Sequence, residues 1–167
     1  MISAYHALDT LARKLGLPAL AFTDDQVGID VTSDLTIFLS RLDDTTLEAS
    51  CQLEHLGHPD AAMMQALLEA NYLGSAVGAG RLALNGDQSE VILCESWNLS
   101  ELDATMLESR FDIFANTAAF WLTDGTGGLL EQADLLRASR YRDEVSETAF
   151  LPQGDADGGA APIVMRL

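Results

Sequence analysis

A chain of 167 residues carries 26 acidic side chains against 9 basic ones, a net charge of −17, with 48% apolar residues. That is enough chain for one domain with a real core, and a charge that repels nucleic acid and anionic membrane surfaces, both of which want clustered Lys and Arg. No apolar run approaches the ~20 residues of a membrane helix, His6 and Asp9 interrupt any secretory-leader pattern, and Cys51 and Cys94 sit apart in strand-like runs, as core cysteines of a reducing compartment do. The expected location is the cytosol.

From Ile2 to Leu15 the apolar positions Tyr5, Leu8, Leu11, Ala12 and Leu15 have helical spacing. Gly16 is placed to stop that helix and Pro18 prevents its resumption. Three strands are expected next. Val27, Ile29 and Val31 share one side of the first, and Leu35, Ile37 and Leu39 alternate with Thr36, Phe38 and Ser40 in the second. In the third, Leu47, Ala49, Cys51 and Leu53 alternate with polar residues, the pattern of a half-buried antiparallel strand. Asp43-Asp44 marks a turn between them.

The stretch from His58 to Leu84 organises the rest: a short helix, a glycine-rich turn and a strand. Pro59 suits a helix's first turn. From Ala61 to Leu73 two apolar rows appear, Met63, Ala66, Leu67 and Ala70 in one, Met64, Leu68 and Tyr72 in the other. A helix apolar nearly all round must be covered on more than one side. One cover is the chain's own sheet, and the second is expected to be another subunit. Met63, Ala66, Leu67 and Ala70 are assigned to that contact, although the two rows can be exchanged. Gly74 is the expected stop.

Strands over Arg81–Leu84 and Glu90–Cys94 follow, joined through Asn85-Gly86-Asp87, a hairpin signal. Ser100, with Asp103 three residues on, offers a weak capping box for a helix running to about Thr123. Its apolar face is built from Leu102, Met106, Leu107, Phe111, Ile113, Phe114, Ala118, Trp121 and Leu122. At Gly125-Thr126-Gly127-Gly128 the domain is expected to end. The division is thus a domain over 1–124 and an extension over 125–167, with a helix at 129–142 and a disordered tail from Pro152. The fold class is α+β, a single antiparallel sheet of about five strands with three main helices in the order α-β-β-β-α-β-β-α.

Reactive groups do not converge. His55 and His58 near Glu54 and Asp60 could be imagined as a metal cluster, but read better as a strand exit and helix entry with exposed polar residues. No Ser, Cys or His lies in a nucleophile motif. The glycines from 74 to 80 follow a helix and precede a strand, the reverse of a phosphate loop. No catalytic residue, metal or cofactor is assigned, and a binding protein is expected.

Leu67-Leu68-Glu69-Ala70-Asn71-Tyr72-Leu73-Gly74 followed by Gly78-Ala79-Gly80-Arg81-Leu82-Ala83-Leu84 resembles the central signature of class I type III secretion chaperones, the Tir chaperone family. The similarity extends over roughly Ile2 to Leu122. It implies a non-catalytic cytosolic homodimer that binds the N-terminal segment of a secreted effector in extended form, keeps it competent for secretion, and meets components of the export apparatus. An alternative is a regulatory protein of the same fold that sequesters an anti-activator or another secretion-system component. Neither nucleic acid nor membrane insertion is expected. An extended segment needs an open strand edge with apolar docking points beside it. Tyr5, Leu8, Leu11, Phe22, Ile29 and Phe38 are the expected effector-binding residues, against the equal possibility that any one of them is ordinary core.

Overall fold

The structure, a computed structural model, describes residues 2–72, 77–86 and 90–149, the last seven of them by backbone alone. Helix α1 (Ala4–Leu15) begins where the Ser3 hydroxyl accepts the His6 N–H, and ends at Gly16, whose φ of 68° favours a residue without a Cβ. Ala4, Ala7, Leu8 and Leu11 are buried along one side, and Arg13 and Lys14 sit at the carbonyl end, where cations are favoured.

Strands β1 (Gln26–Thr32), β2 (Leu35–Arg41) and β3 (Thr46–Gln52) precede helix α2 (Ala61–Asn71), and β4 (Arg81–Asn85) and β5 (Glu90–Asn98) follow it. They form one antiparallel sheet in the order β1-β2-β3-β5-β4, with β1 and β4 as its edges. Helix α3 (Ala104–Phe120), a π turn (Trp121–Gly125) and helix α4 (Thr126–Ala149) complete the described chain. The α+β class, the five strands and their order agree with the sequence reading.

Alternation decides which sheet face is covered. Leu35, Ile37 and Leu39 of β2 and Leu47, Ala49 and Cys51 of β3 are buried, while the residues between them are half-buried. Together with Ile29, Leu93 and Trp97 they pack in one core with Leu8 and Leu11 of α1 and Leu107, Phe111 and Phe114 of α3. Trp97 meets Phe114 edge to face, with centroids 6.1 Å apart. One carboxylate lies within this apolar layer: Glu95 is 4% exposed and accepts from Arg110 Nε at 2.6 Å. Without Arg110 a buried charge would be left uncompensated, a loss of about 3–5 kcal/mol.

Four boundaries differ from expectation, the first being β5, which runs on to Asn98 instead of ending at Cys94. Asp60 opens α2 by accepting the Met63 N–H at 2.8 Å, which leaves Pro59 just outside the helix. Asp103 caps α3 by accepting the Met106 N–H at 2.8 Å, while Ser100 belongs to a single 3-10 turn, Leu99–Glu101. In both cases an aspartate carboxylate takes the cap, one residue after Pro59 and three after Ser100. The glycines after Thr123 do not stop the chain: α4 starts at Thr126 and runs to Ala149, beyond the 129–142 expected. The Thr126 hydroxyl bonds the Trp121 carbonyl through the π turn. A Cβ on Gly125 would stand 2.8 Å from the rings of Phe120 and Trp121, so this glycine serves packing, not termination. The expected stop at Gly74, the Asp87 end of the hairpin loop and the tail from Pro152 lie outside the described residues.

Helix α4 lies along α2 in the opposite direction. Leu129 and Ala133 are buried, and Gln132, Arg140 and Arg137 reach Glu69, Gln65 and Asp60 at 3.1, 3.1 and 2.8 Å. Arg137, and after it the Met63 N–H, hold the Asp60 carboxyl down to about 2 from an ordinary 3.8. A folded-state pKa lowered in this way adds stability that is complete above about pH 4 and is lost as pH falls toward 2. An NMR titration of Asp60 should therefore show a midpoint near 2, moving up toward the ordinary value in Arg137→Ala.

Candidate functional site

The two apolar rows of α2 are separated by the fold. Met63, Ala66 and Leu67 are 2, 1 and 5% exposed, with Ala70 partly buried beside them, whereas Met64, Leu68 and Tyr72 are 39, 71 and 72% exposed. Assigning the first row to a second subunit is thereby corrected. Its second cover is α4, which the sequence reading had placed outside the domain. The surface α2 leaves open is the exchanged row.

At its end α2 reaches an edge of the sheet. Asn71 donates from Nδ2 to the Leu82 carbonyl at 2.9 Å and accepts the Leu82 N–H at 2.8 Å. One side-chain amide thus copies the two bonds a further strand would make to β4 at that residue. This gives the Ala-Asn of the central stretch a physical role, closing part of an edge.

The other edge is open. Asp24 and Asp25 have φ of 51° and 62°, and Thr23 and Gln26 exchange main-chain bonds of 2.8 and 3.0 Å across them, a tight hairpin turn. The Asp25 carbonyl accepts the Arg41 N–H at 2.7 Å, so the main-chain groups of residues 25, 27 and 29 face β2. Those of Gln26, Gly28 and Asp30 point away, and among the described residues only Gln26 has a main-chain partner there, Thr23. Gly28 and Asp30 turn their main-chain N–H and C=O groups outward.

Aromatic side chains stand at the head of this edge. Tyr5, 59% exposed, meets Phe22 edge to face at 5.7 Å, and the Arg41 guanidinium lies 5.4 Å from the Tyr5 ring centre. Arg41 is in turn held by Asp25 at 2.5 Å and Asp44 at 3.2 Å. Of the six residues expected to bind an extended segment, the structure brings Tyr5 and Phe22 together at the surface. Leu8, Leu11 and Ile29 lie beneath at 1, 0 and 2% exposure and are core, because the inward faces of α1 and β1 meet there. Phe38 is half-buried on the opposite face of the sheet. Pairing of β2 with β3 runs only from Arg41 to Phe38, and beyond it the strands part around a cavity of about 370 Å³ lined by Asp34, Phe38, Gln52, Glu54, His55 and Leu122.

Reactive chemistry is sparse. Burial pushes both the Cys51 and Cys94 thiols up to about 11, so neither offers a thiolate at neutral pH. Among the described residues no group of three or more His, Cys, Asp or Glu could hold a metal ion, so His55, His58, Glu54 and Asp60 do not converge. No helix among them is long and apolar enough to cross a membrane. Sequence reasoning passed over Arg41 and Gly28; a glycine inside a strand was the available signal for the second.

Residues 6–122 match the model of the Tir chaperone protein (CesT) family. The chain belongs to that family. Several solved structures share the fold of this family member. An ExsC–ExsE complex matches with a TM-score of 0.58 at 16% identity, over 71% of this chain and 90% of that one. The Yersinia pestis type III secretion chaperone SycH, solved with a stable fragment of YscM2, gives 0.53 at 19% identity over 71% and 99%. The HopA1–SchA chaperone–effector complex gives 0.53 at 16% over 70% and 90%. No curated protein matches the chain in sequence.

Asn71→Ala should leave the Leu82 N–H and C=O without their side-chain partners and cost about 1–3 kcal/mol. Urea unfolding measures this; a change below a few tenths of a kcal/mol would mean that water replaces the amide.

Proposed function

We propose that this protein is a cytosolic type III secretion chaperone that holds the N-terminal segment of a secreted effector in extended form and keeps it competent for export. The observation that carries the reading is the open β1 edge with Tyr5 and Phe22 at its head, in a member of the Tir chaperone family. The SycH–YscM2 and HopA1–SchA complexes, of the same fold, support it. A segment added to β1 gains main-chain bonds from Gly28 and Asp30, and places apolar side chains against the aromatic pair. The acidic surface suits a basic segment, and with both thiols protonated no catalytic step is assigned. Residues 125–167 are an extension whose helix braces α2.

The functional unit is a homodimer formed through Met64, Leu68 and Tyr72, next to the β4 edge. An apolar row this exposed on a helix needs a cover, and in a second copy of the chain the same row is available, as a two-fold contact requires. Leu68→Glu should convert the dimer to monomer in sedimentation velocity while leaving the circular dichroism spectrum intact, since Leu68 is 71% exposed. A wild-type protein that sediments as monomer at tens of micromolar would remove the dimer.

Capture from the native cytosol followed by mass spectrometry identifies the cargo, and separates an effector from another secretion-system component. Tyr5→Ala should weaken capture about tenfold with little change in unfolding midpoint, because the ring is mostly in solvent. Leu11→Ala, at a fully buried site, should instead cost about 2–5 kcal/mol of stability. Capture undiminished in Tyr5→Ala would move the cargo away from the β1 edge.

A further inference from the structure

The open edge has a gap in its row of side chains. On the face away from the helices β1 presents Gln26, Gly28 and Asp30, and the cross-strand partner of Gly28 is Phe38. The Phe38 ring lies 3.4 and 3.6 Å from where a Gly28 Cβ would stand, so it leans over the glycine toward the open edge. Backbone geometry does not require glycine here, since Gly28 is not among the residues with positive φ. Glycine within a strand costs stability relative to residues with a side chain to pack. Phe38 also walls two depressions, the cavity of about 370 Å³ between β2 and β3 and a trough of about 270 Å³ reaching Ile92, so a neighbouring side chain has room.

We propose that Gly28 is the specificity notch of this edge: a segment bound antiparallel to β1 places one bulky apolar side chain opposite Gly28, against the Phe38 ring. This rests on the reading of β1 as the cargo edge. Gly28 turns both main-chain groups outward, so the residue directly opposite it projects on the same face as Phe38. The residues on either side of that one project toward the core, beside Val27 and Ile29, and are apolar. The residue opposite Asp30 is Lys or Arg. The Asp30 carboxylate accepts from the Thr36 hydroxyl at 2.7 Å and has no cationic partner among the described residues, in a chain with net charge −17. Read from its N-terminus the bound segment is therefore basic, apolar, bulky apolar, apolar. The glycine acts as the complement of an aromatic side chain supplied from across the edge.

Two synthetic peptides test this on the full chain, Gly-Ser-Lys-Val-Phe-Val-Ser-Gly and the same peptide with Ala for Phe. Fluorescence anisotropy gives affinity, and hydrogen exchange of the Gly28 and Asp30 amides gives location. The wild type should bind the Phe peptide about fivefold tighter than the Ala peptide. Gly28→Val should bring the two within twofold of each other while the Asp30 amide is still protected. The added Cβ meets nothing closer than 3.4 Å, so the variant should fold; Phe38→Ala reaches the same levelling by removing the ring. If both peptides protect β1 but the wild type does not distinguish them, or Gly28→Val keeps the preference, the notch is wrong and the cargo edge stands. If neither peptide protects the β1 amides, the cargo edge falls and the notch with it.

Discussion

An open five-stranded sheet has two edges, and most of the molecule can be understood from how each is treated. Unpaired N–H and C=O groups along an edge are a template for any extended chain. At β4 the Asn71 amide satisfies both main-chain groups of Leu82, and it can do so only because α2 is anchored against the sheet by Met63 and Leu67 and braced from behind by Leu129 and Ala133 of α4. At β1 no comparable side chain arrives among the described residues. The difference between a blunted edge and an available one is thus set by the placement of a single helix.

Charge follows the same division of labour. Five of the nine basic side chains, Lys14, Arg41, Arg81, Arg110 and Arg137, are committed to ion pairs that hold elements together: α1 to α3, the β1 turn to β2, β4 to β3, β5 to α3 and α2 to α4. Apart from Arg110–Glu95, whose carboxylate is buried, such pairs are worth little individually, so their consequence is mainly electrostatic. They consume the cations and leave the carboxylates in excess at the surface. An excess of this size attracts basic segments toward the molecule.

Where the apolar pattern had one period and one cover, the sequence was enough. The alternation in β2 and β3 and the 3–4 spacing in α1 were legible because each buries one face against one layer. Helix α2 was only half legible: its two rows announced two covers, but nothing local said which row met which. The row buried within the protomer could be identified only once α4 was seen to pass behind it. That packing was hidden by Gly125, Gly127 and Gly128, which look like a break and are instead accommodated within the helical path, Gly125 beneath the rings of Phe120 and Trp121. The candidate surface shows the same limit. The helical spacing that groups Tyr5 with Leu8 and Leu11 does not say which of them the sheet covers, and the burial of Leu8, Leu11 and Ile29 follows only once α1 is laid across β1. Glu95 was unreadable for the same reason, since a carboxylate on the apolar side of β5 makes sense only with Arg110 above it.

An exposed strand edge is a template for copies of itself as well as for other chains, and β1 carries features that discourage the first. When two copies of β1 pair antiparallel about Gly28, Asp30 stands opposite Gln26, so its carboxylate gains no cation from the second copy. Gly28 removes the side chain that would otherwise strengthen a homotypic pairing, since two glycines facing each other leave both Phe38 rings without a partner. The same two features, the Asp30 carboxylate and a missing side chain, disfavour self-association and reward a segment that carries a cation and a bulky apolar residue. Selectivity here comes from what the edge lacks as much as from what it offers.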